Sequence, residues 1–174
     1  MSQKKISVSA KRIAFCGVMT ALAIVFGYVE HLVPFPVGIY GLKLGLANLV
    51  VIVMLYTTNC YIALAINLVR IFISFLLFGS ATSLIYSICG GLLSFFAMLL
   101  IKSIKPLKVS AVGVSICGAV SHNVGQICAA AILLDELRIA FYLPVLVIVG
   151  TLTGTLIGLI ALPIIKHTSP LLKD

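Results

Sequence analysis

The chain has 174 residues, 62% of them apolar and only 9% charged, against about 25% charged in an average soluble domain. That composition, with a mean hydropathy of +1.28, excludes disorder, coiled coil, collagen and an ordinary water-soluble domain. The net charge of +8, from 12 basic and 4 acidic residues, would suggest nucleic acid in a soluble protein; no solvated basic face with stacking aromatics accompanies it, Trp is absent, and it reads instead as orientation in a bilayer.

Residues 1–12 are polar and basic, with Lys4, Lys5, Lys11 and Arg12. The apolar run that follows, 13–33, starts like a signal peptide but is too long for one and is succeeded by further spans, so an uncleaved first helix is expected. Pro34, Pro36, Gly38 and Gly41 then interrupt helical structure. Apolar runs over 42–57, 61–78, 83–101, 111–134 and 141–165 complete a set of six predicted transmembrane helices, the second of them short. The expectation is an all-α integral membrane protein: a basic N-terminal segment over 1–12, one six-helix domain over 13–166 and a short tail over 167–174. Five cysteines, Cys16, Cys60, Cys89, Cys117 and Cys128, lie in or beside the apolar runs without any metal-ligand spacing, and read as small packing residues.

With the N-terminus inside, the inner segments hold Lys4, Lys5, Lys11, Arg12, Lys102, Lys105, Lys108, Lys166 and Lys173, whereas the outer loops hold only Lys43 and Arg138. Retention of basic residues on the cytoplasmic side predicts both termini there, in a multi-pass protein of the cell membrane.

Lipid tails are as apolar as Leu, so close helix pairing depends on small residues. Ala10, Ala14, Gly17 and Ala21 form one stripe on the first helix; Ser83, Ser87, Gly90 and Ser94 form one on the fourth; Gly150, Gly154, Gly158 and Ala161 form one on the sixth. The last two read as internal packing. The first starts near the membrane surface, and suits either internal packing or the helix of another protein.

Polar residues inside a span face the protein interior or a water-filled cavity. Asn67, Arg70 and Ser74 share a face of the third helix, Ser115, His122 and Gln126 a face of the fifth with Asn123 beside them, and Asn48 stands on the second. Arg70 lies near the middle of its span, keeps its charge and presents a planar fork of donors. Either Glu30, at the outer end of the first helix, turns inward to pair with it, or the partner is a ligand bearing carboxylate, phosphate or a polar ring, with Asn48, Asn67, His122, Asn123 and Gln126 around it.

Catalysis finds little support. Prenyl transfer needs clustered carboxylates to hold magnesium, and Asp135-Glu136 is the one adjacent acid pair. There is no P-loop, no Gly-x-Gly-x-x-Gly and no Gly-x-Ser-x-Gly, so no cofactor, metal or built-in ATPase is expected. Six helices without a motor suit a binding subunit, a partner-dependent transporter or a facilitator.

The six-helix pattern, the first-helix stripe and the Pro/Gly loop leading into Gly41-Leu42-Lys43-Leu44-Gly45-Leu46-Ala47-Asn48 resemble the substrate-binding S component of energy-coupling factor (ECF) transporters. That segment and Ser121-His122-Asn123-x-x-Gln126 more narrowly resemble the Gx transporter family, whose members often carry the label heptaprenyl diphosphate synthase component I. The resemblance implies a subunit that binds a vitamin-like micronutrient from outside. It implies docking on a membrane scaffold through Ala10, Ala14, Gly17 and Ala21, energised by two cytoplasmic ATPases. It also implies a lid between the first two helices, here Pro34, Pro36, Gly38 and Lys43. The alternatives are a non-catalytic membrane companion in heptaprenyl diphosphate or quinone metabolism and a stand-alone small-solute facilitator.

Overall fold

The computed structural model describes residues 10–32, 45–104 and 109–172. Among them are six α-helices: α1 (Ala10–Leu32), α2 (Asn48–Thr57), α3 (Cys60–Phe78), α4 (Ala81–Ser103), α5 (Ala111–Leu133) and α6 (Leu143–Thr168). Short 3-10 turns over Leu137–Tyr142 and Pro170–Leu172 flank α6, and no strand occurs among the described residues. Polar side chains set three of the starts. Asn59 accepts from the Ile62 amide at 2.9 Å, Ser80 from Ser83 at 3.2 Å and Ser110 from Gly113 at 3.2 Å, each relieving a donor that the first helical turn leaves unpaired.

Five helices are long and apolar enough to cross a membrane, and α2 is not one of them. The six expected helices are all present among the described residues, and the second is short, as its apolar run implied. Ten residues of α-helix rise about 15 Å, half of a hydrocarbon core about 30 Å thick. Gly45 takes φ +83°, a left-handed turn that glycine adopts without steric penalty, and α2 begins after it at Asn48. Every residue from Asn48 to Leu55 is buried, so α2 is an apolar rod wrapped by the others, as its all-round hydrophobicity requires. Lys102 of α4 closes its far end, donating to the Leu55 carbonyl with its ammonium 4.8 Å from the centre of the Tyr56 ring.

The tightest packing is a glycine seam. A Cβ on Gly150, Gly154 or Gly158 of α6 would stand 3.2, 2.7 or 2.6 Å from the Cα of Val120, Ile116 or Val112 of α5. Two antiparallel helices therefore touch backbone to backbone in steps of four. Gly125 of α5 meets α4 in the same way, 2.7 Å from the Cys89 carbonyl oxygen. Ser83, Ser87 and Ser94 are buried as well, so the fourth- and sixth-helix stripes are internal. On α1 the buried residues are Ala23, Gly27 and Glu30, with Gly27 against the Ser74 hydroxyl of α3. Ala10, Ala14, Gly17 and Ala21 lie on roughly the opposite face and are all exposed.

The outward faces are oily. Leu152, Leu156 and Ile160 of α6 and Leu76 and Leu77 of α3 are all more than half exposed, a surface suited to lipid. None of the five cysteines is buried, and Cys89 and Cys128 are exposed. This departs from the interior expected for them, because a lipid-facing position is as apolar as a packed one. Arg12, in the first turn of α1, donates to the Leu172 carbonyl at 2.6 Å through Nη2 and 3.2 Å through Nε, so both ends of the described chain lie on one side of the bundle.

Candidate functional site

Polar residues of α1, α2, α3 and α5 converge with two glycines of α4 where α2 begins. Arg70 is 6% exposed and Asn67 fully buried. Three residues apart on α3, they bond directly, Arg70 Nε donating to Asn67 Oδ1 at 3.0 Å. Asn67 in turn donates to the Gly91 carbonyl of α4 at 3.0 Å. Gly91 has a reason to lack a side chain, since a Cβ there would press on Ile71 at 2.8 Å and meet the Asn67 amide. The adjacent Gly90 carries α5 close: its Cβ would stand 2.8 Å from Gln126 Cγ and 3.1 Å from His122 Cε1. His122 and Gln126 are buried together on one face of α5.

The turn before α2 closes over this layer. A Cβ on Gly45 would lie 3.1 Å from Asn48 Nδ2 and 3.6 Å from His122 Cδ2. The Leu46 amide donates to Glu30 Oε1, which ties the end of α1 to the start of α2. Glu30 is thus turned inward, 5% exposed, on the face of α1 that packs on α3 through Gly27 and Ser74. Two donors remain. Asn48 Nδ2 and Arg70 Nη2 are buried without a hydrogen-bond partner among the described residues.

Of the residues singled out by sequence, Asn48, Asn67, Arg70, His122 and Gln126 come together here. Asn123 does not join them. It turns to α6 and donates to the Leu146 carbonyl at 2.8 Å, which makes it a strut between helices. Pro34, Pro36, Gly38 and Lys43, the expected lid, lie outside the described residues. Sequence reasoning weighed Glu30 only as an ion-pair partner for Arg70 and passed over Gly45, Gly90 and Gly91 as parts of the site. A glycine three residues before a buried Asn, and a Gly-Gly pair within a polar-striped helix, are the signals that mark them.

The family model described as heptaprenyl diphosphate synthase component I matches residues 19–163, a stretch that includes every residue of this cluster. No curated protein and no solved structure matches the chain.

Proposed function

The chain belongs to the heptaprenyl diphosphate synthase component I family, and from that premise we propose that it is the membrane-embedded substrate-binding subunit of an ECF-type transporter. In this reading it takes up a small micronutrient-like ligand at the cell membrane and works with a separate scaffold and two cytoplasmic ATPases. One observation carries the reading: a buried arginine and asparagine with unfilled donors, in a layer assembled from five helices of a membrane protein. Unsatisfied polar groups at that depth are expensive, and a bound solute is what they serve. The acids argue in the same direction. Glu30 accepts from a backbone amide and Glu136 pairs with Arg138 at 3.1 Å, which suits the non-catalytic role proposed here for this component.

The first-helix stripe supports the partner. Its four small residues are exposed, and a Cβ on Gly17 would meet nothing within 4 Å. Replacing Gly17 or Ala21 with Leu places bulk where two helices would approach closely. Scaffold association and uptake are expected to fall while the isolated subunit keeps its melting temperature and its ligand. A parallel loss of folding in Gly17→Leu would mean that the stripe packs within the subunit.

The family's description favours a second reading, a non-catalytic membrane companion of a soluble prenyl synthase. Pull-down from mild detergent separates the two. A scaffold with two ATPases supports the transporter subunit, and a soluble prenyl synthase supports the companion. Recovery of neither, with solute flux through the purified protein alone, supports a facilitator. Orientation is tested by reporter fusions. Those after Lys105 and at the C-terminus should read cytoplasmic and one near Asp135 external, and an external C-terminus would overturn the topology.

A further inference from the structure

We propose that Glu30 is a built-in stand-in for the oxyanion of the ligand: it holds the Leu46 amide at the start of α2 beside Arg70, and an incoming carboxylate or phosphate takes over both. This rests on reading the polar layer as a ligand site. The N-terminus of a helix is its positive end and favours anions, and α2 places that end inside the bundle. In transporters such half-helix ends face anionic groups near the middle of the bilayer.

Two further observations point to an anion. The side-chain groups left unfilled, Asn48 Nδ2 and Arg70 Nη2, are both donors, and the residues are 3% and 6% exposed. Asn48 curls back over the turn, its Nδ2 3.1 Å from where a Cβ of Gly45 would stand. Donors without acceptors are complemented by an acceptor-rich group, and a carboxylate or phosphate satisfies several at once. The position is also already held by a carboxylate, because buried Glu30 accepts from the Leu46 amide on the face of α1 that packs on α3 through Gly27 and Ser74. Two oxyanions cannot share one amide and one guanidinium without repulsion, so ligand and Glu30 exchange.

The exchange has a distinctive consequence. Removing the internal carboxylate should strengthen anion binding, whereas a carboxylate that contacts ligand directly, or only supports the fold, would leave it unchanged or weaker when removed. The probes are acetate and inorganic phosphate, added to the purified protein in detergent at constant ionic strength made up with chloride. Binding is read from the concentration dependence of the melting temperature. Glu30→Gln should bind at least one of the two about tenfold more tightly than the native chain, the scale of one hydrogen bond to a charged group. The double variant Glu30→Gln/Arg70→Gln should lose that gain. The arm that responds identifies the oxyanion as carboxylate or phosphate. Unchanged or weaker binding of both probes, or a gain that survives the loss of Arg70, overturns the proposal. Should Glu30→Gln not fold, Glu30→Asp, whose shorter carboxylate holds the turn less well, takes its place with the same two outcomes. The readout uses the isolated subunit, so it stands apart from whether a scaffold and ATPases are recovered.

Discussion

Arg70→Ala is expected to weaken ligand binding by about 10- to 150-fold, the equivalent of roughly 1.5–3 kcal/mol for a hydrogen bond to a charged group. The guanidinium has one nitrogen on Asn67 and another, Nη2, without a protein partner among the described residues; it is the second that a ligand would use. Arg70→Lys keeps the charge and loses the fork, so it should fall between. His122→Ala should cost less, because a neutral contact contributes about 0.5–1.5 kcal/mol. Stability needs to be followed on the same proteins, since Arg70→Ala also strips Asn67 Oδ1 of its donor. Adding Glu30→Gln should recover much of the lost melting temperature, because it removes a buried carboxylate charge from a layer that has lost its arginine, but not the affinity for the ligand. Full affinity in Arg70→Ala, with stability rescued in the double variant, would reduce Arg70 to a structural residue.

The largest stability loss is expected at the glycine seam. A Cβ on Gly154 would stand 2.7 Å from Ile116 Cα and one on Gly158 2.6 Å from Val112 Cα. The obstacle in each case is backbone, so no rotamer change relieves it. Gly154→Leu or Gly158→Leu must push α5 and α6 apart along their length. Overpacking costs about 1–3 kcal/mol even where side chains yield, and here the whole interface opens. The melting temperature in detergent should drop well below that of Gly17→Leu, which adds the same side chain to a helix face with nothing in reach. Equal melting of Gly154→Leu and Gly17→Leu would show that the seam contributes nothing. The comparison is internally controlled, since both sites are helical glycines in small-xxx-small patterns.

Those two glycines also show what the sequence carries and what it withholds. Spacing of polar residues along single helices was legible: Asn67 with Arg70, and His122 with Gln126, meet as their periodicity implies, because a face too polar for lipid has only the interior to occupy. Small-residue spacing was legible as well, but not its destination. The stripe on α6 is buried to the backbone and the stripe on α1 is bare, and nothing in either pattern says whether the matching helix lies in the same chain. The cysteines fail for a related reason, lipid and core being equally apolar. The start of α2 is hidden because hydropathy registers Leu46 and Ala47 as span, whereas helix begins at Asn48 after one positive φ at Gly45. The direction of Asn123 depends on the Leu146 carbonyl of another helix. Its position beside His122 in the chain carries no trace of that partner.

The seam also imposes an order on biogenesis. As it leaves the ribosome, α5 brings Ser115, His122, Asn123 and Gln126 toward the bilayer in one segment, a poor match to lipid by itself. By then α4 has already been made, and its Gly90 and Ser94 offer the face on which His122, Gln126 and Gly118 pack. Insertion of α5 is therefore a joint event with α4, whereas Asn123 waits for the Leu146 carbonyl that only α6 supplies. Without α6, Asn123 lacks the carbonyl it donates to and the ridge along Val112, Ile116 and Val120 lacks the glycines that seat on it. Both are covered in the same step, when α6 packs along α5.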